Sequence, residues 1–204
     1  MAIACPVGFD VARLMEEVRQ TYSSVARNPE GEFHFHRGPE YAARLLGYDP
    51  QELEALPRIA TEPFAGVGNP FLMEPLPQGG AVLDIGSGAG MDCLLAARRV
   101  GPDGAVLGID MTDEMLERAR KGAFEAGYDH VRFEKGDITR LPVESNSIDV
   151  VISNGVINLT PDKAALFTEL YRVVKPGGRL QFADITIDKE LSEDARNDID
   201  LWTG

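Results

Sequence analysis

The sequence predicts an α/β fold in which a mostly parallel sheet is flanked by helices. From Ala81 onward, short apolar segments alternate with helical patterns, which is typical of repeated strand–helix–strand units. A glycine-rich segment joins the first of these strands to the first of these helices. At 204 residues, the chain is long enough for one such domain with a modest extension, and too short for two full domains.

The N-terminal part of the chain is predicted to form helical pieces joined by loops. Apolar residues recur at helical spacing over residues 11–25, and Asp10 is a candidate N-cap for this leading helix. Residues 39–47 begin with proline and end with glycine, which favours a second, short helix. Several prolines follow before the first strand. We interpret residues 1–77 as a helical lid over a second unit, residues 78–204.

Five strands are predicted in the second unit, each a short apolar run bounded by turn residues. Thr112 and Thr160 are typical helix-start residues, since an acidic side chain follows each within two positions. The predicted strands are residues 81–85, 105–109, 131–135, 148–153 and 179–187. Helices are predicted between them at residues 90–100, 112–126 and 161–174, with turns at 101–104 and 175–178.

The composition excludes some classes of function. A net charge of −13 argues against a nucleic-acid partner, because such affinity comes largely from clustered Lys and Arg. The chain contains no apolar run of the ~20 residues that a membrane span requires, and its start lacks the pattern of a signal peptide. Cys5 and Cys93 are its two cysteines, which fits a reducing compartment. We therefore expect a cytoplasmic protein, with Cys93 buried and unreactive.

The loop after the first strand is the strongest functional signal in the sequence. It reads Asp-Ile-Gly-Ser-Gly-Ala-Gly and leads into a predicted helix. Glycines let the backbone turn tightly and approach a ligand without a Cβ atom in the way, while the helix N-terminus presents free amide groups. A turn without a ligand is the less favoured interpretation. The candidate binding residues of this loop are Asp84, Gly86, Ser87, Gly88 and Gly90.

Two acidic residues follow the next two strands. Asp110 ends the second strand, twenty positions after Gly90, where such folds place a carboxylate that accepts hydrogen bonds from both ribose hydroxyls. Asp137 follows the third strand and could reach an adenine amino group while Ile138 packs on the ring; a turn cap is its alternative role. Sites for nicotinamide dinucleotides and for S-adenosylmethionine share these features, so these residues leave both cofactors open.

A family resemblance separates the two cofactors. The glycine loop, Asp110 and the turn Lys175-Pro176-Gly177-Gly178 together resemble class I methyltransferases, whereas dehydrogenases lack the Lys-Pro-Gly-Gly turn. Segments 66–70, 108–112, 153–159 and 161–163 are similar to arsenite methyltransferases and their relatives. The resemblance implies a Rossmann-like class I methyltransferase fold with S-adenosylmethionine as cofactor. It also implies that Met111 and Asn154 line the cofactor site with Asp84–Gly90, Asp110, Asp137 and Ile138, and that Tyr22 closes over the methionine part.

The chain departs from arsenite methyltransferases at the residues that hold arsenic. That family uses three cysteines, and two of the corresponding positions are Val67 and Gly155 here. The third would fall just beyond Gly204. Because a soft metalloid needs thiolate ligands, we expect a small organic acceptor instead of arsenite. An arsenite methyltransferase-like enzyme that uses other thiols, a catalytically silent cofactor-binding protein and a nicotinamide-dependent oxidoreductase are the alternatives.

The end of the chain carries a prediction of its own. A class I methyltransferase usually has seven strands, and about seventeen residues follow Ile187 here, of which residues 192–201 are predicted to be helical. Either the last two strands are missing or this chain is a truncated form, and in both cases we expect the fifth strand to be an exposed edge. Exposed edges tend to pair, so a homodimer through this strand is predicted.

Two histidines lie in the predicted lid. His34 and His36 alternate with Phe35, so both share one face if the segment is extended. Two ligands do not make a metal site, and a lid or packing role is favoured for both. The sequence predicts no metal site and identifies no catalytic residue.

Overall fold

The computed structural model describes residues 11–186, which contain a five-stranded parallel sheet with helices on both faces. The strands are β1 Ala81–Ile85, β2 Ala105–Asp110, β3 Val131–Lys135, β4 Ile148–Asn154 and β5 Val174–Ala183. They lie in the order β3-β2-β1-β4-β5, and each pair of neighbours is parallel. The predicted mostly parallel α/β fold is confirmed. Asp10, Cys5 and the predicted helix at 192–201 lie outside the described residues.

The helices fall into a group that precedes the sheet and a group that connects its strands. The first group is α1 Val11–Arg27, α2 Gly38–Leu46, α3 Pro50–Glu54 and α4 Arg58–Thr61, followed by the single 3-10 turn Pro70–Leu72. The second group is α5 Met91–Val100, α6 Asp113–Ala126 and α7 Lys163–Val173. Gly47 ends α2 in the left-handed conformation, as expected for a glycine after a helix.

The two faces of the sheet bury separate apolar clusters. Successive side chains of a strand point to opposite faces, so Val82 packs with α5 and α6 while Leu83 and Ile85 pack with α7. Asp84 shares the face of Val82 and is buried there. This alternation brings a carboxylate to the sheet face covered by α5, at the carboxyl end of the central strand.

The helices that precede the sheet pack mainly on α6. Helices α1 and α4 both contact it, and Val25 and Ala26 of α1 are buried with Met115 of α6. Ser23 of α1 donates a hydrogen bond to a Glu114 carboxylate oxygen at 2.9 Å. These contacts hold the N-terminal helices over the carboxyl ends of the strands, where a parallel sheet forms its ligand crevice.

The fifth strand differs from its prediction at both ends. Val174 pairs with Ile148 and Arg179 pairs with Val150, so four residues of β5 lie opposite a single residue of β4. The predicted turn at 175–178 is therefore a bulge inside the strand, and the strand begins at Val174 because pairing resumes on both sides of it. The strand ends at Ala183, residues 184–186 are not in a strand, and residue 187 lies outside the described residues.

Candidate functional site

A cavity of about 570 Å³ opens at the carboxyl ends of β1, β2 and β4, beneath α1 and the segment that precedes the 3-10 turn. Its size falls within the range of about 300–1,000 Å³ that is usual for small-molecule sites. All the residues that the sequence predicted to bind a cofactor line this cavity except Gly90, and Tyr22 lines it too. The predicted residues are thus brought together at one place.

The glycine loop is fixed to the neighbouring strand by its backbone. The amides of Gly86 and Ser87 both donate hydrogen bonds to the Ile109 carbonyl, at 2.8 and 3.0 Å. Gly88 has a φ of +52°, and a Cβ atom there would meet nothing within 4 Å, because the position faces the open cavity. The loop therefore presents bare backbone to whatever occupies the cavity.

Gly90 is required by packing. Its φ is +88°, and a Cβ atom would lie 2.7 Å from the ring atom Cζ of Phe133 on β3. The missing side chain lets α5 begin close against the sheet, which is the usual role of the last glycine in such loops. Gly90 thus supports the loop from behind and is not among the residues that line the cavity.

Asp110 braces the glycine loop from the end of β2. Its Oδ2 accepts a hydrogen bond from the Gly88 amide and its Oδ1 accepts one from the Thr112 amide, both at 2.8 Å. Burial raises the pKa of Asp110, and these amide hydrogen bonds act in the opposite direction. Since each carboxylate oxygen can accept a second hydrogen bond, Asp110 retains capacity for a ligand.

Asp137 has the geometry of a turn cap. Its Oδ1 accepts hydrogen bonds from the Thr139 amide at 2.8 Å and from the Thr139 hydroxyl at 2.7 Å. Its neighbour Ile138 is half-buried against the apolar cluster that contains Leu141. Asp137 therefore has the alternative role of a turn cap that the sequence allowed. Its Oδ2 makes no hydrogen bond among the described residues, and both Asp137 and Ile138 line the cavity.

A second buried carboxylate, Asp92, lies beside Asp84. Burial and then repulsion from Asp92 raise the pKa of Asp84 well above its ordinary value, although the Cys93 thiol donates to Asp84 Oδ2 at 3.2 Å. Burial also raises the pKa of Asp92 to about 6, against the opposing effect of its hydrogen bonds. Because two desolvated carboxylates at one site repel each other, this end of the cavity favours a positively charged group.

Asn154 links the sheet to the loop at residues 66–68. Its Oδ1 accepts hydrogen bonds from the amides of Val67 and Gly68, at 2.8 and 3.1 Å. Its Nδ2 donates to the Gly68 carbonyl at 2.8 Å, to Asp92 Oδ2 at 3.1 Å and to the Tyr48 hydroxyl at 3.0 Å. Although Asn154 lies on the cavity wall, its amide group is already used in holding this loop in place.

The two positions that correspond to arsenic-binding cysteines lie next to each other. A Cβ atom built on Gly155 would be 3.2 Å from Val67 Cγ1. The two segments that resemble those of arsenite methyltransferases therefore meet in this chain, and neither carries a thiol at these positions. Cys93 is buried, and its desolvation raises the pKa of its thiol well above the ordinary value, as expected for an inert cysteine.

The ionisable side chains on the described cavity wall are mainly acidic. The only described basic residue on the wall is Lys135, and its Nζ is paired with Asp113 Oδ2 at 2.6 Å. The acidic side chains that line the cavity are Asp84, Asp92, Asp110 and Asp137. A pyrophosphate group would meet repulsion in such a cavity, whereas a cation would be attracted.

Several residues of the site have no specific signal in the sequence. Asp92 resembled an ordinary acidic residue in the first turn of a helix, and Tyr48 resembled a core aromatic residue. The two are joined by a hydrogen bond of 2.8 Å from the Tyr48 hydroxyl to Asp92 Oδ1. Burial is the main cause that raises the pKa of Tyr48. Their pairing brings the segment between α2 and α3 against α5, and no local pattern encodes this contact.

The two lid histidines line different cavities. His36 lies on the wall of a smaller cavity next to the main one, whereas His34 lies in a shallow surface depression beside α1. Within residues 11–186, no group of three or more His, Cys, Asp or Glu side chains is placed to hold a metal ion. No helix in the same range is long and apolar enough to cross a membrane.

Comparison with known proteins gives the family. A family model described as a methyltransferase domain matches residues 76–203, more than half of the chain. An arsenite methyltransferase from Halobacterium salinarum is 43% identical over 159 residues, which cover 78% of this chain and 40% of the relative. The chain thus spans less than half the length of this relative.

Two solved structures are also similar. One is an arsenic(III) S-adenosylmethionine methyltransferase from Chlamydomonas reinhardtii, with 41% identity and a TM-score of 0.57, covering 65% of this chain and 46% of that one. The other is a SAM-dependent methyltransferase from Aquifex aeolicus, with 21% identity and a TM-score of 0.52, covering 91% of this chain and 80% of that one. At such low identity, the second similarity shows the shared fold alone.

Proposed function

Because this chain belongs to the family of methyltransferase domains, we propose that the protein binds S-adenosylmethionine and transfers its methyl group to a small-molecule acceptor. The observation that carries the proposal is the acidic cavity at the place where the strand order reverses, between β1 and β4. The glycine loop and Asp110 line this cavity. The identity of the family and the chemistry of the cavity support the same ligand independently.

The charge of the cavity favours this cofactor over a nicotinamide dinucleotide. S-adenosylmethionine carries a sulfonium and an ammonium group, and the buried carboxylates Asp84 and Asp92 suit cations. A dinucleotide would have to place its pyrophosphate beside the same carboxylates. The nicotinamide-dependent alternative is therefore disfavoured by electrostatics as well as by the family.

We assign the predicted residues to the two halves of the cofactor. Asp110 and Met111 would hold the ribose, and Asp137 and Ile138 would hold the adenine, each from the end of a strand. The methionine part would be held by the loop residues Asp84, Gly86, Ser87 and Gly88. Gly90 would keep this loop close to the sheet. Asn154 would hold the loop at residues 66–68, which forms part of the cavity wall. Two observations fit this assignment: Gly88 faces open space, and the buried Ser87 Oγ makes no hydrogen bond among the described residues.

The bound cofactor supplies a methyl group that its sulfonium makes electrophilic. The protein then has to align an acceptor and exclude water. Tyr22, whose pKa burial raises to about 12, stays protonated at neutral pH and forms part of the cover over the cavity. We propose that residues 1–77 act as this cover and that residues 78–204 form the cofactor-binding unit.

The acceptor is proposed to be a small organic molecule. The names of two relatives reported above describe them as methyltransferases of arsenic. In this chain, however, Val67 and Gly155 offer no thiolate to a metalloid.

We further propose that β5, which lies at one edge of the described sheet, pairs with β5 of a second copy. Sedimentation that shows a strict monomer at micromolar concentration would contradict the dimer.

Calorimetric titration with S-adenosylmethionine and with NAD tests the proposal. We expect saturable binding of the first and none of the second. Asp110→Asn should weaken S-adenosylmethionine binding by about 10- to 100-fold, since hydrogen bonds to a charged group contribute roughly 1.5–3 kcal/mol. Asp103→Asn, in the exposed turn between α5 and β2, is the control and should bind normally. No binding by the unaltered protein would refute the proposal, whereas tight binding without turnover on any acceptor would indicate a silent binding protein.

A further inference from the structure

A second cavity, of about 190 Å³, adjoins the main one, and we call it the side chamber. Tyr22, Gly66, Gly155 and Leu159 line both cavities, so the two share a wall. The residues that line the side chamber but not the main cavity include Phe35, His36, Tyr41, Val67 and Asn158. A molecule in the side chamber would therefore lie against a cofactor held in the main cavity.

The walls of the side chamber are aromatic. Tyr22 and Phe35 are stacked with ring centroids 6.0 Å apart, and the His36 and Tyr41 rings are 5.3 Å apart. No carboxylate, lysine, arginine or cysteine is among the described residues that line it. These walls favour an uncharged planar molecule and offer no ligand for a soft metalloid.

Two polar side chains of the side chamber, those of Asn158 and His36, can orient a bound molecule. The buried Asn158 Oδ1 makes no hydrogen bond among the described residues, so it can accept one from a molecule inside. The Asn158 backbone amide is held by Asp184, whose Oδ2 accepts its hydrogen bond at 3.1 Å. His36 lines the chamber and is also exposed to solvent. An imidazole in this position can take a proton from inside and release it to water.

The volume of the side chamber limits the size of the molecule that it can bind. Its volume is below the roughly 300–1,000 Å³ of pockets for drug-sized ligands. It is also about six times the roughly 30 Å³ that one water molecule occupies in the liquid. Since an apolar cavity of about 150 Å³ is enough to bind benzene, one aromatic ring with a small substituent is of the right order.

We propose that the side chamber binds the methyl acceptor and that this acceptor is a small monocyclic phenol; the proposal rests on the function proposed above. A phenol loses its proton at a pH near 10, as tyrosine does, and the imidazole of His36 is a feasible base for it. The phenol oxygen forms a bond to the methyl carbon while the carbon–sulfur bond breaks and its electron pair stays on sulfur. In the bound phenol the hydroxyl donates its hydrogen bond to Asn158 Oδ1. As the bond to the methyl carbon forms, this proton leaves Asn158, passes to His36 and then to solvent, which leaves a methyl aryl ether and a neutral thioether.

The first test measures binding without turnover. Calorimetry with 4-methylphenol, on protein saturated with S-adenosylhomocysteine, should show saturable binding, and cyclohexanol should bind at least tenfold more weakly. Val67→Phe fills the side chamber without touching the main cavity, so 4-methylphenol affinity should fall at least tenfold while S-adenosylhomocysteine affinity stays within twofold. Unchanged 4-methylphenol binding in Val67→Phe would overturn the assignment of the chamber.

Asn158→Ala provides a milder second variant should Val67→Phe fail to fold. It removes the buried acceptor, and we expect 4-methylphenol affinity to fall about threefold to tenfold, because a neutral hydrogen bond contributes about 0.5–1.5 kcal/mol. S-adenosylhomocysteine binding should not change. An Asn158→Ala protein that binds 4-methylphenol normally would contradict the orientation proposed for the ring hydroxyl.

The second test addresses the proton. His36→Gln should lower turnover of 4-methylphenol by at least 100-fold, in line with the roughly 10²–10⁴-fold contribution of a general base. With 4-nitrophenol at pH 8, which is already ionised in the buffer, the loss should be less than threefold. His34→Gln, two residues away and outside the side chamber, is the matched control and should change neither rate. Equal losses on both phenols would overturn the role of His36 as base.

Product analysis separates this proposal from the one it rests on. Mass spectrometry should detect 4-methylanisole and S-adenosylhomocysteine in equal amounts. Failure to bind S-adenosylmethionine would refute the methyltransferase function itself. Binding and faster methylation of cyclohexanol, or of arsenite with glutathione, would refute the phenol acceptor alone and leave the general function standing.

Discussion

The floor and the cover of the main cavity are built by different means. The floor consists of strand ends, the glycine loop and Asp110, and backbone amides hold the Asp110 carboxylate at 2.8 Å. The cover comes from α1 and the segments around α2 and α4, and it meets the cavity mostly with apolar and aromatic side chains. The geometry of the floor therefore depends on backbone conformation, which glycine and aspartate encode locally. The geometry of the cover depends on side-chain packing between segments that are distant in the sequence.

This difference bears on the acceptor proposed above. The floor keeps the residues expected for the cofactor, while Val67 and Gly155 stand where the resemblance to arsenite methyltransferases implies cysteines. Replacing side chains on the cover leaves the hydrogen bonds of the floor unchanged. Selection for a new acceptor can then act on the cover without disturbing cofactor binding.

The largest effect is expected from Gly86→Ala on the floor. Gly86 has a φ of +69°, and a Cβ atom there would lie 2.4 Å from Val156 Cγ2. Backbone strain and the clash should together lower the free energy of unfolding by about 2–5 kcal/mol, measured by urea denaturation. Loss of cofactor affinity should accompany it.

Gly127→Ala is the control for backbone strain alone. Its φ is +70°, and a Cβ atom would meet nothing within 4 Å. It should cost about 1–2 kcal/mol and leave cofactor binding intact. An effect of Gly86→Ala no larger than this would show that Val156 moves aside easily and that the floor is less rigid than we describe.

Asn154→Ala tests the joint between the floor and the cover. The substitution leaves the amides of Val67 and Gly68 and the Oδ2 atom of Asp92 without their hydrogen-bond partner. Buried groups left without hydrogen bonds cost roughly 1–3 kcal/mol each, so we expect a loss of about 2–4 kcal/mol in unfolding free energy. Hydrogen exchange should show faster exchange of the Val67 and Gly68 amides. Unaltered exchange there would mean that the loop is held by other contacts.

The buried carboxylates predict an unusual dependence of stability on pH. The pKa of Asp92 is raised to about 6 from an ordinary value of 3.8, so the folded protein binds the proton more tightly than the unfolded chain. Stability from this group is complete below pH 3.8 and is lost as the pH rises through 6, by an amount on the order of 2–3 kcal/mol.

Asp92→Asn checks this dependence. The variant cannot ionise at this position, so the loss of unfolding free energy between pH 5 and pH 8 should be smaller than in the unaltered protein. Asp149→Asn is the contrasting variant, since Lys175 lowers the pKa of that carboxyl and its contribution is lost only in stronger acid. Identical pH profiles for Asp92→Asn and the unaltered protein would show that Asp92 does not carry the effect.

The smallest effect on stability is expected on the cover. Asn158→Ala removes a side chain whose Oδ1 has no hydrogen bond among the described residues, so unfolding free energy should change by less than about 1 kcal/mol. Urea denaturation measures it. A loss as large as that of Asn154→Ala would show that Asn158 has a structural partner and would weaken the contrast between floor and cover.

The sequence predicted much of the fold because its signals are local. The bounds of β1 and β3 agree with their predictions, since β1 is a mainly apolar run that follows two glycines and β3 alternates the buried Val131 and Phe133 with charged residues. The fifth strand was predicted to begin at residue 179, whereas it begins at Val174. The prediction was wrong because a Lys-Pro-Gly-Gly turn normally ends a paired segment. Only the register against β4, where four residues lie opposite one, shows that the turn is a bulge.

By itself, the sequence determined the order of elements and the residues of the floor, because strand ends, glycines and their aspartates are set by short-range patterns. The tertiary structure alone decided that Asp84 and Asp92 form one acidic site and that Asn154 is taken up by the loop at residues 66–68. It also decided that His36 and His34 line separate cavities. Each of these depends on segments distant in the chain, whose contacts are fixed by the packing of the whole domain.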